Sequence, residues 1–315
     1  MKLFVPLMII MMALFCSKAK SQNFYRYRFE APWSIAFSTG PTQYFGELYD
    51  LWRYKEGIQP DINFAFTTRY TFGTHLKARL DATYYRISGN DQLADPKSGR
   101  IPRNLNFEAG NYEGAFSIEY YWKPVKVINH GRSFWNPYIF MGIGLSSNNP
   151  YANYNGNRIP LRPLRTENQS YAGYIFTWPM GAGIKYKFNT HLDILLEINY
   201  RFTNTDYLDD VSAFDISGFY EALIHDYQGY NIVVNGTTTF YSNPNRLRMA
   251  VRNTDYLLDN GEPNLDAIIE SNGLIRRGSG LDVRKDGFMT FNVGLEIYFV
   301  HLLKEKLIII NRSTR

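Results

Sequence analysis

Leu192-Asp193-Ile194-Leu195-Leu196-Glu197-Ile198-Asn199-Tyr200-Arg201-Phe202 is the stretch that decides the fold. Leu192, Ile194, Leu196, Ile198, Tyr200 and Phe202 form one apolar row, and Asp193, Leu195, Glu197, Asn199 and Arg201 fill the alternate positions. A period of two belongs to an extended strand whose two faces meet different surroundings. Soluble sandwiches alternate too, but their strands run to about 5–6 residues. A run of this length matches the roughly 9–11 residues that a tilted strand needs to cross a bilayer.

The pattern recurs on both sides of that stretch. Leu76, Ala78, Leu80, Ala82 and Tyr84 alternate with Lys77, Arg79, Asp81, Thr83 and Tyr85. Tyr112 to Trp122 alternates with Glu113, Ala115, Ser117, Glu119 and Tyr121. Similar rows occupy 33–44, 62–70, 137–145, 180–188 and 288–299, which makes eight strands. Their connections sort strictly. Phe72-Gly73-Thr74, Asn189-Thr190 and the stretch 123–136 are short, whereas 45–61, 87–106, 146–175 and 203–287 are long. Short turns alternating with long outer loops are the mark of an outer-membrane barrel, and an even strand number lets the sheet close without a free edge. The fold expected is all-β: a closed antiparallel up-and-down transmembrane β-barrel of eight strands, of OmpA/OmpX-like size, spanning 33–299. Asn235-Gly236 reads as a hairpin turn inside the last long loop. If that hairpin extends into the wall, the barrel has ten strands.

A barrel of eight strands has a lumen filled by side chains. Inward-facing Lys77, Arg79, Asp81, Glu113, Glu119, Lys185, Glu197, Arg201 and Glu296 are therefore expected to form a paired ionic plug, because an unpaired charge buried there would be costly. Trp33, Trp122 and Trp135 fall at strand ends on the short-turn side and Trp178 at the opposite end, as expected of an aromatic girdle at the two membrane interfaces. Asp206, Asp209 and Asp210 follow the deciding strand. Their spacing is not that of a calcium loop, and these carboxylates are expected to accept backbone hydrogen bonds where the strand leaves the membrane and enters the loop, anchoring it. The long loop 204–287 should fold as an outer cap, with short helices at 219–225, 246–251 and 264–271.

The chain has 315 residues, 45% hydrophobic and 20% charged, with 25 Tyr, 22 Phe, 5 Trp and 1 Cys. After residue 15 nothing runs apolar for the ~18–20 residues of a membrane-spanning helix. Lys2 and the apolar stretch 3–15, followed by Ala19-Lys20-Ser21, read as a signal peptide (1–21) cleaved before Gln22. Residues 22–32 would then be a periplasmic segment and 300–315 a periplasmic tail. The formal charge of +5 is concentrated at the ends: the leader and the tail each carry a net three positive charges, which leaves 22–303 at −1. No basic body remains to follow a nucleic acid. The five histidines are scattered, and there is no G-x-S-x-G or His-Glu-x-x-His arrangement, so neither catalysis, nor a cofactor, nor a metal is expected.

The last strand, Asn292-Val293-Gly294-Leu295-Glu296-Ile297-Tyr298-Phe299, resembles the assembly signal of outer-membrane barrels. On it Gly294, Ile297 and Phe299 imply recognition by the barrel-insertion machinery. A broader resemblance rests on Phe45-Gly46-Glu47-Leu48, Arg103-Asn104-Leu105-Asn106-Phe107, Asn136-Pro137-Tyr138-Ile139-Phe140-Met141-Gly142-Ile143-Gly144, Pro179-Met180-Gly181-Ala182-Gly183-Ile184-Lys185-Tyr186 and Thr205-Asp206-Tyr207-Leu208-Asp209-Asp210-Val211-Ser212. In that order these segments resemble the PorG family of the type IX secretion system. The resemblance implies a Bacteroidota-type outer-membrane scaffold that anchors a periplasmic ring of PorK/PorN-type proteins. Two other functions stay open from the sequence: a surface receptor or adhesin acting through the 204–287 cap, and a passive small channel.

Overall fold

The computed structural model describes residues 32–48, 60–125, 133–189, 191–234, 237–278 and 285–299. The expected leader, the segment 22–31, the stretch 126–132 of one turn, the Asn235-Gly236 turn and the tail beyond Phe299 lie outside the described residues.

Twelve strands are described: β1 (Trp33–Phe45), β2 (Asp61–Thr71), β3 (Leu76–Asn90), β4 (Asn106–Tyr121), β5 (Trp135–Ser147), β6 (Tyr151–Tyr154), β7 (Asn157–Pro160), β8 (Tyr174–Lys187), β9 (Leu192–Thr203), β10 (Tyr230–Val234), β11 (Thr237–Tyr241) and β12 (Gly287–Tyr298). Eight of them form the wall in the order β3-β2-β1-β12-β9-β8-β5-β4, and β3 pairs with β4 to close the circle. Each neighbouring pair is antiparallel, with β3–β4 the longest, from Leu76↔Tyr120 to Asn90↔Asn106. Closure satisfies the backbone amides of the wall without a free edge.

The ten-strand alternative is corrected. β10 and β11 make a separate two-stranded sheet in the cap and take no part in the wall. The two strands that do extend the main sheet are β6 and β7, joined to the rim of β4 through Glu108↔Tyr151. Their turn, Asn155-Gly156, has φ of +50° and +78°, the left-handed pair that a two-residue hairpin requires.

Around its middle the barrel is inside-out. Phe37, Phe64, Leu80, Phe116, Ile139, Ile143, Val293 and Leu295 are exposed on the outside, whereas Arg69, Lys77, Arg79, Glu113, Glu119 and Glu296 are buried within. From Tyr112 to Trp122 the chain takes ten steps along β4, about 33 Å of strand, or ~25 Å of height at the usual tilt of ~40°. That is the height of the apolar band of a membrane barrel.

Several strands continue above the band, and there the pattern reverses. On β3 the outward residues change from Leu80, Ala82 and Tyr84 to Arg86 and Ser88, while Tyr85 and Ile87 turn inward and are fully buried. The outer mouth is filled by Tyr44, Tyr85, Ile87, Phe107, Ile175 and Phe288 from the wall, packed against Leu48, Leu208, Val211 and Met249 from the loops. Beyond this stopper the cap has a core of its own. Helices α1 (Tyr220–Gln228), α2 (Pro244–Ala250) and α3 (Leu265–Glu270) bury Leu223, Ile224, Leu247, Ala250 and Ile268 together. All three overlap the helices expected from the sequence.

Candidate functional site: the plugged lumen and its outer seal

The lumen holds a charge network drawn from six wall strands. Arg69 of β2 lies at its centre, with Nε 2.7 Å from Glu119, Nη2 3.7 Å from Glu197 and Nη1 4.0 Å from Glu296. Arg79 grips Glu197 with both terminal nitrogens, at 2.6 and 2.9 Å, and holds Asp81 at 2.7 Å through Nε. Glu296 receives Lys185 at 2.5 Å, Lys77 at 3.4 Å and the Ser34 hydroxyl at 2.5 Å. Higher up, Arg201 donates through Nε to Glu113 at 2.9 Å and through Nη1 to Thr290 at 2.6 Å.

All nine residues expected in the plug are therefore buried and ion-paired. The tenth, Arg69, was missed: the alternation that sets Thr68 and Tyr70 outward already places Arg69 inward. With it the plug holds five cations, Arg69, Lys77, Arg79, Lys185 and Arg201, against five carboxylates, Asp81, Glu113, Glu119, Glu197 and Glu296. Lys187 and Asp193, partners in the β8–β9 register, add one of each sign near the short-turn end. A balanced network of this kind removes the penalty of isolated buried charge. Three tyrosines seal it from below: the Tyr121 hydroxyl donates to Glu119 at 2.6 Å, Tyr138 to Glu197 at 2.8 Å and Tyr298 to Asp193 at 2.8 Å. The cavity between Lys77, Lys185 and the turn at Pro124 and Val125 measures about 20 Å³, the size of a single water.

The outer seal is organised by carboxylates. Asp209 accepts the amide of Leu48 at 3.2 Å and that of Val211 at 3.0 Å. Asp286 accepts the Leu208 amide at 2.9 Å and the Tyr44 hydroxyl at 3.0 Å. Asp210 takes the hydroxyls of Thr166 and of Tyr171, the latter at 2.7 Å, and Asp206 takes that of Ser212 at 2.7 Å. Glu167 receives Ser212, Ala213 and Arg277, and Arg277 also donates to the carbonyls of Met249, Ala250 and Asp210. Arg103 links Asp91 to the carbonyls of Glu47 and Arg277.

The three aspartates of the sequence cluster thus point to separate partners: Asp209 holds loop backbone, as expected, whereas Asp206 and Asp210 take side-chain hydroxyls. Burial pushes the Asp209 carboxyl up to about 8 and that of Asp210 up to about 6. Asp286 is raised by burial and then by the nearby Asp209. Gly46 admits this packing, since a β-carbon there would fall 1.7 Å from the Tyr44 hydroxyl.

Trp33 and Trp135 begin β1 and β5, and Trp122 directly follows β4, so all three stand on one rim. There Trp33 packs on Tyr70 and Trp135 on Tyr186, each with ring centres 4.7 Å apart. Trp178 is corrected: it lies inside β8, paired with Phe202, and the exposed Phe176 and Tyr174 stand beyond it toward the outer end. Gly294 faces inward, where a β-carbon would meet the Phe37 carbonyl at 2.5 Å, and Ile297 and Phe299 face outward, both exposed. Among the described residues no group of three or more His, Cys, Asp or Glu is placed to hold a metal ion.

These features define a class: a small closed barrel with an apolar belt, a charge-paired lumen and a sealed outer mouth. No protein-family model matches the sequence, and no curated protein matches it. Solved structures similar to the chain include Neisserial surface protein A, at 10% identity and a TM-score of 0.37, covering 85% of this chain and 98% of that one. Others are the attachment invasion locus protein Ail of Yersinia pestis in complex with the heparin analogue sucrose octasulfate, at 11% identity and a TM-score of 0.35, over 87% and 100% of the two chains, and OprG from Pseudomonas aeruginosa, at 10% and 0.34, over 87% and 99%.

Proposed function

We propose that this chain is an outer-membrane barrel that serves as a non-catalytic scaffold, held in lipid by its apolar belt and closed to solute flow. The observation that carries this reading is the exchange of faces: exposed Phe, Leu, Ile and Val around a lumen whose opposite charges are matched in number. A filled lumen and an apolar stopper above it also speak against the passive channel.

The finer proposal is that the scaffold anchors the periplasmic ring of a type IX secretion system through PorK/PorN-type partners, after assembly by the barrel-insertion machinery. The resemblance supports it. So does the meeting of three of the resembling segments at the outer seal, where Leu48, Arg103, Leu105, Phe107 and Asp209 gather around one carboxylate network. Affinity capture of the tagged full chain from detergent-solubilised native membranes tests it. Co-purification of ring proteins is the expected result. A folded, membrane-resident barrel that brings down no ring component would overturn the anchoring proposal and leave the scaffold reading intact.

A receptor acting through the cap is the second reading, favoured by the β10–β11 hairpin, on which Val233 and Phe240 are 72% and 64% exposed. Loss of ligand binding, with secretion unimpaired, after deletion of the hairpin would select it.

A further inference from the structure

The lipid-facing side of the wall is not evenly ridged. A hollow of about 850 Å³ runs across the wall from Val293 and Leu295, past Phe37 and Phe64, to Tyr84 and Tyr112, with Ala82 as its floor on β3. Its volume is within the range of small-molecule sites, about 300–1,000 Å³. The floor is low because Ala82 pairs with Gly114 across the β3–β4 register, and a β-carbon built on Gly114 would meet nothing within 4 Å. The hollow occupies the half of the belt nearer the outer mouth, since β3 leaves it through Tyr84 toward Arg86.

Two residues beyond Tyr84 on the same face, about 7 Å along the strand, stands Arg86. It is 49% exposed and bonded to Glu108 at 2.7 Å, with Asp61 at 3.5 Å. Arg158, 55% exposed, approaches the other oxygen of Glu108 at 2.8 Å. The two acids are the less exposed members, at 16% and 25%. They steady the guanidiniums from the protein side, and each guanidinium has five N–H donors to offer. Gly110 lies opposite Arg86 in the register and presents no side chain. The vertical order is therefore an apolar hollow, then the Tyr84–Tyr112 pair with ring centres 5.2 Å apart, then two outward arginines.

We propose that this is a binding site for one anionic, phosphate-bearing lipid of the outer leaflet, its acyl chains in the hollow and its phosphate on Arg86 and Arg158. The order of surfaces matches the order of groups along such a lipid: hydrocarbon, a glycerol or sugar backbone at the level of the tyrosines, and phosphate. Arginine pairs with phosphate in bidentate geometry. The inference rests on the membrane reading, and the experiment separates the two.

The purified full-length barrel in detergent is incubated with phosphatidylglycerol, phosphatidylcholine or diacylglycerol of identical chains, and bound lipid is counted by native mass spectrometry. One retained phosphatidylglycerol per barrel is expected, favoured over diacylglycerol, which has no phosphate, by about tenfold, the worth of one hydrogen bond to a charged group, with zwitterionic phosphatidylcholine between the two. Ala82→Phe, which fills the hollow from outside, should abolish the retained lipid. Arg86→Gln with Arg158→Gln should erase the headgroup preference. Heat-modifiable gel mobility checks that each variant is folded. Equal binding of all three lipids, an unchanged count in Ala82→Phe, or occupation of the face by a second copy of the chain would overturn the lipid site. A wild-type chain that stays folded and monomeric without detergent would instead overturn the membrane reading.

Discussion

Replacing Arg69 with methionine removes the cation that three carboxylates share. Glu119 at 2.7 Å, Glu197 at 3.7 Å and Glu296 at 4.0 Å would remain in a lumen where Arg69 is 1% exposed and Glu119 and Glu296 are fully enclosed. Taking one partner out of a buried pair costs about 3–5 kcal/mol, because the remaining charge is left uncompensated. With a denaturant slope of roughly 4 kcal/mol per molar guanidinium chloride, the unfolding midpoint should fall by about 1 M. Arg248→Met is the control. Its pair with Glu262 is 26% and 31% exposed, and such a pair is worth about 0.2–1 kcal/mol, or at most ~0.25 M. The double variant Arg69→Met with Glu119→Gln restores the balance of charge and should recover at least half of the loss. Tryptophan fluorescence during unfolding from detergent micelles provides the readout. An Arg69→Met midpoint within ~0.25 M of the parent, or a double variant no better than the single, would refute the claim that charge matching holds the lumen together.

The outer seal should loosen as pH rises. Asp209 and Asp286 have folded-state pKa values above the ordinary 3.8, so between about pH 4 and pH 8 the folded chain binds more protons than the unfolded one, and stability falls with rising pH across that window. Once the intrinsic base-catalysed rate is divided out, the protection of the amides of residues 205–213 against hydrogen exchange should therefore be lower at pH 9 than at pH 5, and Asp209→Asn should flatten that difference in protection. Phe37→Arg, at an outward position 56% exposed, should cost about 2–4 kcal/mol in lipid, whereas Thr238→Arg on the cap hairpin should leave the midpoint unmoved. Gly40→Val brings a β-carbon to within 1.8 Å of the Phe291 carbonyl oxygen. The β1–β12 seam must then spread, and a loss of about 1–3 kcal/mol should appear as a lowered unfolding midpoint.

The wall was readable because a strand between hydrocarbon and a charged lumen writes its two environments into alternate residues. Arg69 was readable by the same rule, once the outward row of β2 is carried to its other face. The upper parts of β3 and β4 were not, because there water replaces hydrocarbon outside and the apolar residues move inward, so a search for one continuous phase stops at Tyr85 or starts at Tyr112. The β6–β7 hairpin was announced by Asn155-Gly156, the same dipeptide that drew attention at 235–236. What sequence did not disclose is the convergence of Leu48, Arg103, Asp209, Arg277 and Asp286 on one seal. Those residues are far apart in the chain, and their pairing depends on how four loops fold over the mouth.

The phase reversal along β3 and β4 works as a waterline. Sinking the barrel by one strand step pair would carry Arg86 and Glu108 toward hydrocarbon, where a charge costs up to about 2–4 kcal/mol; raising it would strip lipid from Tyr84 and Tyr112. The molecule therefore floats at one draught, and whatever is fastened rigidly to its lower rim is kept at a set distance from the bilayer.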